Sequence, residues 1–130
     1  SKIDGLNFSF SGIKTAVINL NHKNPNINKA DLCTSFEKVT TQMLIENVKK
    51  AVDQTGIKQV ALAGGVSANS YIRKEFKMFG TENNIKIYYP ELKLCTDNAA
   101  MIASAGYYNY IVGNESKLNL NAVPNLKLGG

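Results

Sequence analysis

The sequence predicts an α/β unit built around a parallel pair of strands, and three observations carry that reading. Apolar residues return at three- and four-residue steps in several long stretches, the spacing of amphipathic helices. Two short runs, Gln59 to Ala63 and Ile85 to Tyr89, have strand character instead. Helices and strands alternate along the chain, which is the order that lays strands parallel.

Asn7 to Phe10 reads as an extended entry with Phe8 and Phe10 on one face. Ser11 is placed to cap a short helix whose stripe is Ile13, Ala16, Val17 and Leu20. Asn21 to Asn28, with Pro25, is a loop. From Lys29 to Gln54, the recurrence of Leu32, Phe36, Val39, Met43, Val48 and Val52 predicts a long helix, with Gly56 as its stop. Val60-Ala61-Leu62-Ala63 is apolar throughout, as in a strand buried on both faces, and Gly64-Gly65 breaks it.

A helix over Ala68 to Phe79 is expected to turn Ile72, Phe76 and Phe79 inward and to end at Gly80. Ile85, Ile87 and Tyr89 alternate with polar positions, a second strand closed by Pro90. A loop carries Cys95-Thr96-Asp97-Asn98. The last helix, Asn98 to Val112, holds Ala99, Ala100, Ala103, Ala105 and Gly106, small enough for close packing, and Gly113 stops it. The tail repeats Leu118, Leu120, Val123, Leu126 and Leu128 with little helical character. Two strands make a poor sheet, so a partner chain or a segment outside this sequence is expected to complete it.

The 130 residues suit one domain, and 44% apolar with 19% charged residues is the balance of a folded soluble protein. No apolar run approaches the roughly 20 residues that cross a bilayer. The net charge of +5 is compatible with RNA or nucleotide partners, though Arg73 is the only arginine and lysine is poorly suited to bidentate readout. Cys33 and Cys95 form no C-x-x-C pair, which points to buried thiols in a reducing cytoplasm rather than a disulfide framework.

Three places can carry chemistry. In Leu62-Ala63-Gly64-Gly65-Val66-Ser67-Ala68-Asn69, paired glycines after a strand let a ligand reach the backbone, and the N–H groups of a following helix favour an anion. A plain tight turn explains the same glycines. In Thr96-Asp97-Asn98, Asp97 is placed either to cap the final helix or to ligate a metal at a second strand end. In Phe8-Ser9-Phe10-Ser11-Gly12-Ile13-Lys14-Thr15 the Walker spacing fails, leaving a helix-capping turn. His22, the one histidine, lies in a polar loop, so no Ser/His/Asp or Cys/His set can be assembled.

Taken together, Phe8 to Val17, Ala63-Gly64-Gly65-Val66-Ser67-Ala68-Asn69 and Cys95-Thr96-Asp97-Asn98-Ala99-Ala100-Met101-Ile102-Ala103 resemble the C-terminal signature blocks of one family. It is the tRNA threonylcarbamoyladenosine transferase family, long labelled O-sialoglycoprotein endopeptidase or glycoprotease. The resemblance implies an actin-like ATPase (ASKHA) fold with two RNase H-like lobes, this chain being part of the second. It implies transfer of threonylcarbamoyl from its adenylate to the N6 amine of the adenosine beside the anticodon. It implies that Asn69 contacts the adenine nucleotide, that Gly64 and Gly65 are the backbone-approach glycines, and that Asp97 ligates a metal, usually iron.

The family's H-x-x-x-H pair and its other Gly-rich segment occur nowhere in this sequence. The chain, which opens on Ser1 rather than Met, is therefore expected to be a C-terminal portion, 1–130, without the first lobe or the opening strands of the second. It is expected to be inactive alone and to self-associate through exposed strand edges and apolar surface. ATP or threonylcarbamoyl-adenylate, tRNA and the partner proteins of the transfer complex are the implied partners, with no membrane. Rival readings are a sugar kinase or acetokinase-like domain, a metalloprotease as in the older label, and a non-catalytic nucleotide-binding or interaction module. Thr96-Asp97-Asn98 argues against the kinase, and the lack of H-E-x-x-H argues against the protease.

Overall fold

The computed structural model describes residues 5–124, and it has the α/β order the periodicity predicts. Four α-helices, α1 (Phe10–Lys23), α2 (Lys29–Thr55), α3 (Ser70–Asn83) and α4 (Ala99–Ile111), accompany two strands, β1 (Gln59–Ala61) and β2 (Lys86–Tyr88). One-turn 3-10 helices at Gly65–Ala68 and Leu92–Leu94 follow the two strands. The chain divides into two compact units, Ser1–Thr96 and Asp97–Gly130.

In the first unit the strands pair in parallel with Val60 opposite Ile87, and α3 is the crossover between them. Ile72, Phe76 and Phe79 of α3 join Ile85 in the buried core, and Leu44, Ile45, Val48 and Val52 of α2 pack on it with Val60, Leu62 and Ile87. Phe76 and Phe79 meet edge to face, centroids 6.4 Å apart. Asn28 caps α2 by accepting from Ala30 N–H and Asp31 N–H. Gly56 ends it with φ +71°, a conformation a side chain resists.

Several expectations change. α1 begins at Phe10 and not after Ser11, which lies within its first turn, and Ser9 takes the N-cap position without a capping bond. The covered face of α2 is Thr41, Leu44, Ile45, Val48 and Val52, whereas Phe36 and Val39 are exposed. The stripe as read from the sequence mixes two faces of a helix 27 residues long, and only Val48 and Val52 of it pack on the core that α3 centres. β1 is covered on one face only: Val60 is half-buried while Gln59 and Ala61 are exposed.

Gly80 does not end its helix. α3 runs on to Asn83, and Asn84, at φ +55°, is the residue that leaves the helix. Gly80 is small because the chain returns across it: an added Cβ would lie 2.7 Å from Ile85 O and 2.6 Å from Ile87 Cγ1. Cys33 is exposed and only Cys95 is buried, and both are free thiols.

The second unit contains α4, capped by Asn98, whose side chain accepts from Met101 N–H at 3.0 Å. Its small residues do not pack as expected, since no residue of α4 is buried. Gly113, at φ +72°, follows its end, and no helix forms between there and 124. Leu126 and Leu128 of the tail pattern lie outside the described residues. No described helix is long and apolar enough to cross a membrane.

Candidate functional site

β1 and β2 run parallel, so their carboxyl ends lie at the same edge of the sheet, where open α/β folds bind ligands. Leu62 N–H extends the pairing by donating to Tyr88 O at 2.8 Å, and the chain then turns sharply at Gly64. Gly64 sits at φ +83°, ψ 168°, a region essentially reserved for glycine. Nothing lies within 4 Å of where its Cβ would be. A Cβ on Gly65 would be 3.8 Å from Thr96 Cγ2, so that methyl walls one side of the turn.

The helix expected straight after Gly65 is instead a single 3-10 turn, and α3 starts five residues later. Ser67 N–H donates to Gly64 O and Asn69 N–H to Val66 O, which closes the turn. The N–H groups of Gly65 and Val66 come first in it and have no helical carbonyl to meet. Ser67 is buried, and its hydroxyl has no partner among the described residues. A turn with orphan donors and an unsatisfied hydroxyl suits an anionic or polar ligand.

Asn69 does two jobs. Its Oδ1 caps α3 by accepting from Ile72 N–H at 2.9 Å, and its Nδ2 donates to Glu37 Oε1 on α2 at 2.7 Å. The glycine turn is also tied to the loop after β2 by Arg73. The guanidinium donates to Ser67 O, to Pro90 O at 2.7 Å and to Cys95 Sγ at 3.1 Å, and it lies 4.7 Å from the Tyr89 ring centroid. A fork of fixed geometry serves this better than a lysine, which explains one arginine among so many lysines.

Gly64, Gly65 and Asn69 thus share one turn in the first unit. Asp97 opens the second unit. The capping reading of Asp97 gives way to Asn98, one residue on, because Asn98 has the extended backbone of an N-cap and accepts from the helix. Asp97 is exposed. Among the described residues no three His, Cys, Asp or Glu side chains come together as a metal set, around Asp97 or elsewhere.

Sequence reasoning gave Glu37 no role and marked Arg73 only as the one arginine. Nothing in their spacing marks them: Glu37 stands 32 residues before Asn69, and only packing of α2 against α3 joins them. A concavity of about 730 Å³ lies elsewhere in this unit, lined by Lys58, Lys77, Gly80, Lys86 and Tyr89 among others. It contains none of the candidate residues. At its rim the Tyr88 oxygen holds the ammonium of the exposed Lys86 above its usual 10.5.

Comparison with known proteins bears on the same stretch of chain. A family model described as tRNA N6-adenosine threonylcarbamoyltransferase matches residues 1–104. The chain is 49% identical over 128 residues to the tRNA N6-adenosine threonylcarbamoyltransferase of Clostridium kluyveri, covering 95% of this chain and 38% of that protein. It is 48% identical to the protein of the same description from Carboxydothermus hydrogenoformans, covering 98% of this chain and 38% of the relative. The Clostridium novyi protein is 47% identical over 130 residues, with 97% and 38% covered. The chain therefore spans 38% of the length of these curated relatives.

Proposed function

The chain belongs to the tRNA N6-adenosine threonylcarbamoyltransferase family, and from that premise we propose that it is the nucleotide-binding C-terminal portion of such an enzyme. The enzyme moves a threonylcarbamoyl group from its adenylate to the N6 amine of the adenosine beside the anticodon in tRNA. One observation carries the assignment of the binding role: an open glycine turn at the carboxyl end of a parallel strand, with Asn69 one 3-10 turn beyond it.

On this reading the two-stranded sheet belongs to the second RNase H-like lobe of an actin-like ATPase fold. The N–H groups of Gly65 and Val66 meet the charged part of the nucleotide, and Asn69 meets its uncharged part. Asp97 contributes one carboxylate to iron or another divalent ion, whose remaining ligands are not brought together among the described residues. The chain by itself binds nucleotide without transferring the acyl group. The net charge of +5 supports tRNA as the acceptor, alongside the partner proteins of the transfer complex.

Calorimetric titration of ATP into the 130-residue chain tests the reading. One saturable site, weakened by Gly65→Ala, is the expected result. No heat of binding at millimolar ATP would refute it.

A further inference from the structure

The Asn69 amide is held at its two ends by groups of opposite hydrogen-bonding character. Ile72 N–H can only donate and takes Oδ1, while the Glu37 carboxylate can only accept and takes Nδ2. Turning the amide over would set Oδ1 against a carboxylate and Nδ2 against an N–H, two repulsive contacts in place of two attractive ones. The Glu37 backbone is fixed within α2, where Thr41, 1% exposed, donates its Oγ1 hydrogen to the Glu37 main-chain carbonyl at 2.8 Å, and the carboxylate reaches Asn69 from that fixed base. Glu37 uses one of the two Nδ2 hydrogens. The other is left over, on a side chain that is only half-buried.

We propose that Glu37 is a positioning residue for the nucleotide: it locks the Asn69 amide so that the spare N–H is presented to an acceptor atom on the base or ribose. The carboxylate adds a second effect, since a negative charge 2.7 Å from Nδ2 repels phosphate. The phosphates are thereby assigned to the glycine side of the turn, and the uncharged end of the nucleotide to the Asn69 side. This inference rests on the proposed nucleotide site and adds to it a residue that acts through another.

The test is a set of calorimetric titrations with ATP and with adenosine, with thermal unfolding run in parallel on each protein. Glu37→Ala frees the amide and is expected to weaken adenosine by roughly tenfold and ATP by somewhat less, because the same change removes the charge that repels phosphate. Glu37→Gln keeps an acceptor oxygen and is expected to stay within about threefold of the wild type. Asn69→Asp retains a capping oxygen for Ile72 N–H, but it removes the donor and opposes two carboxylates, so it loses both melting temperature and binding. Combining E37Q with N69D supplies a donor in the reverse sense, which restores the melting temperature and leaves ATP binding absent.

Wild-type affinity in E37A would overturn the proposal, as would recovery of ATP binding in the double variant. If E37A fails to fold, the double variant still decides. A wild-type chain that takes up neither ligand removes the nucleotide site and this inference together, an outcome distinct from a binding wild type with an indifferent E37A.

Discussion

Alanine at Gly64 and alanine at Gly65 are chemically the same change, yet the structure separates their consequences. Gly64 has φ +83° and ψ 168°, with nothing within 4 Å of an added Cβ. Its cost is therefore purely one of backbone strain, about 1–3 kcal/mol for a side chain in that region. For a unit of this size, each kcal/mol lowers the melting temperature by about 4–8 °C. Gly64→Ala should thus melt several degrees to some 20 °C below the wild type, by roughly that conversion. Gly65 has no positive φ, and its Cβ would make an ordinary 3.8 Å contact with Thr96 Cγ2. Gly65→Ala should melt like the wild type while losing ATP affinity, because the new methyl occupies the approach to the backbone. Circular dichroism melts and ATP titrations on both variants give the comparison. A G64A protein that melts with the wild type, or a G65A protein less stable than G64A, would sink the reasoning.

Four further outcomes follow from the packing. Gly80→Ala should destabilise by about 1–2 kcal/mol in urea unfolding, since a clash at 2.7 Å with the Ile85 carbonyl outweighs the roughly 1 kcal/mol of helix propensity gained; a more stable variant would contradict this. Phe76→Ala empties the centre of the first unit, where Phe76 is 1% exposed, and should cost about 3–5 kcal/mol by the same measurement. Asn98→Ala should lower the stability of α4 by about 1 kcal/mol, whereas Asp97→Ala should leave it unchanged, readable as helical dichroism and reversed if Asp97 is the true cap. α4 exposes Met101, Ile102, Tyr107 and Tyr110 with no buried residue, so the chain should self-associate in light scattering, and a monomer at high concentration would contradict that.

Local pattern was enough for whatever depends on neighbours along the chain. The long α2, its stop at Gly56, the order of elements and the parallel strand pair all follow from periodicity and glycine placement, because these are set within a turn or two of backbone. The glycine turn and the three signature blocks were legible for the same reason, each being contiguous. What required the tertiary structure was every property that depends on what lies opposite. Gly80 reads as a helix stop until Ile85 and Ile87 are seen to cross it. Phe36 and Val39 read as core until α3 is seen to cover another face of α2. Glu37 reads as one more surface carboxylate until folding brings it to Asn69, and Arg73 as a stray basic residue until Ser67, Pro90 and Cys95 converge on it. Helix period and turn chemistry are encoded in adjacent residues, whereas burial and the partner of a polar side chain are decided by segments distant in sequence.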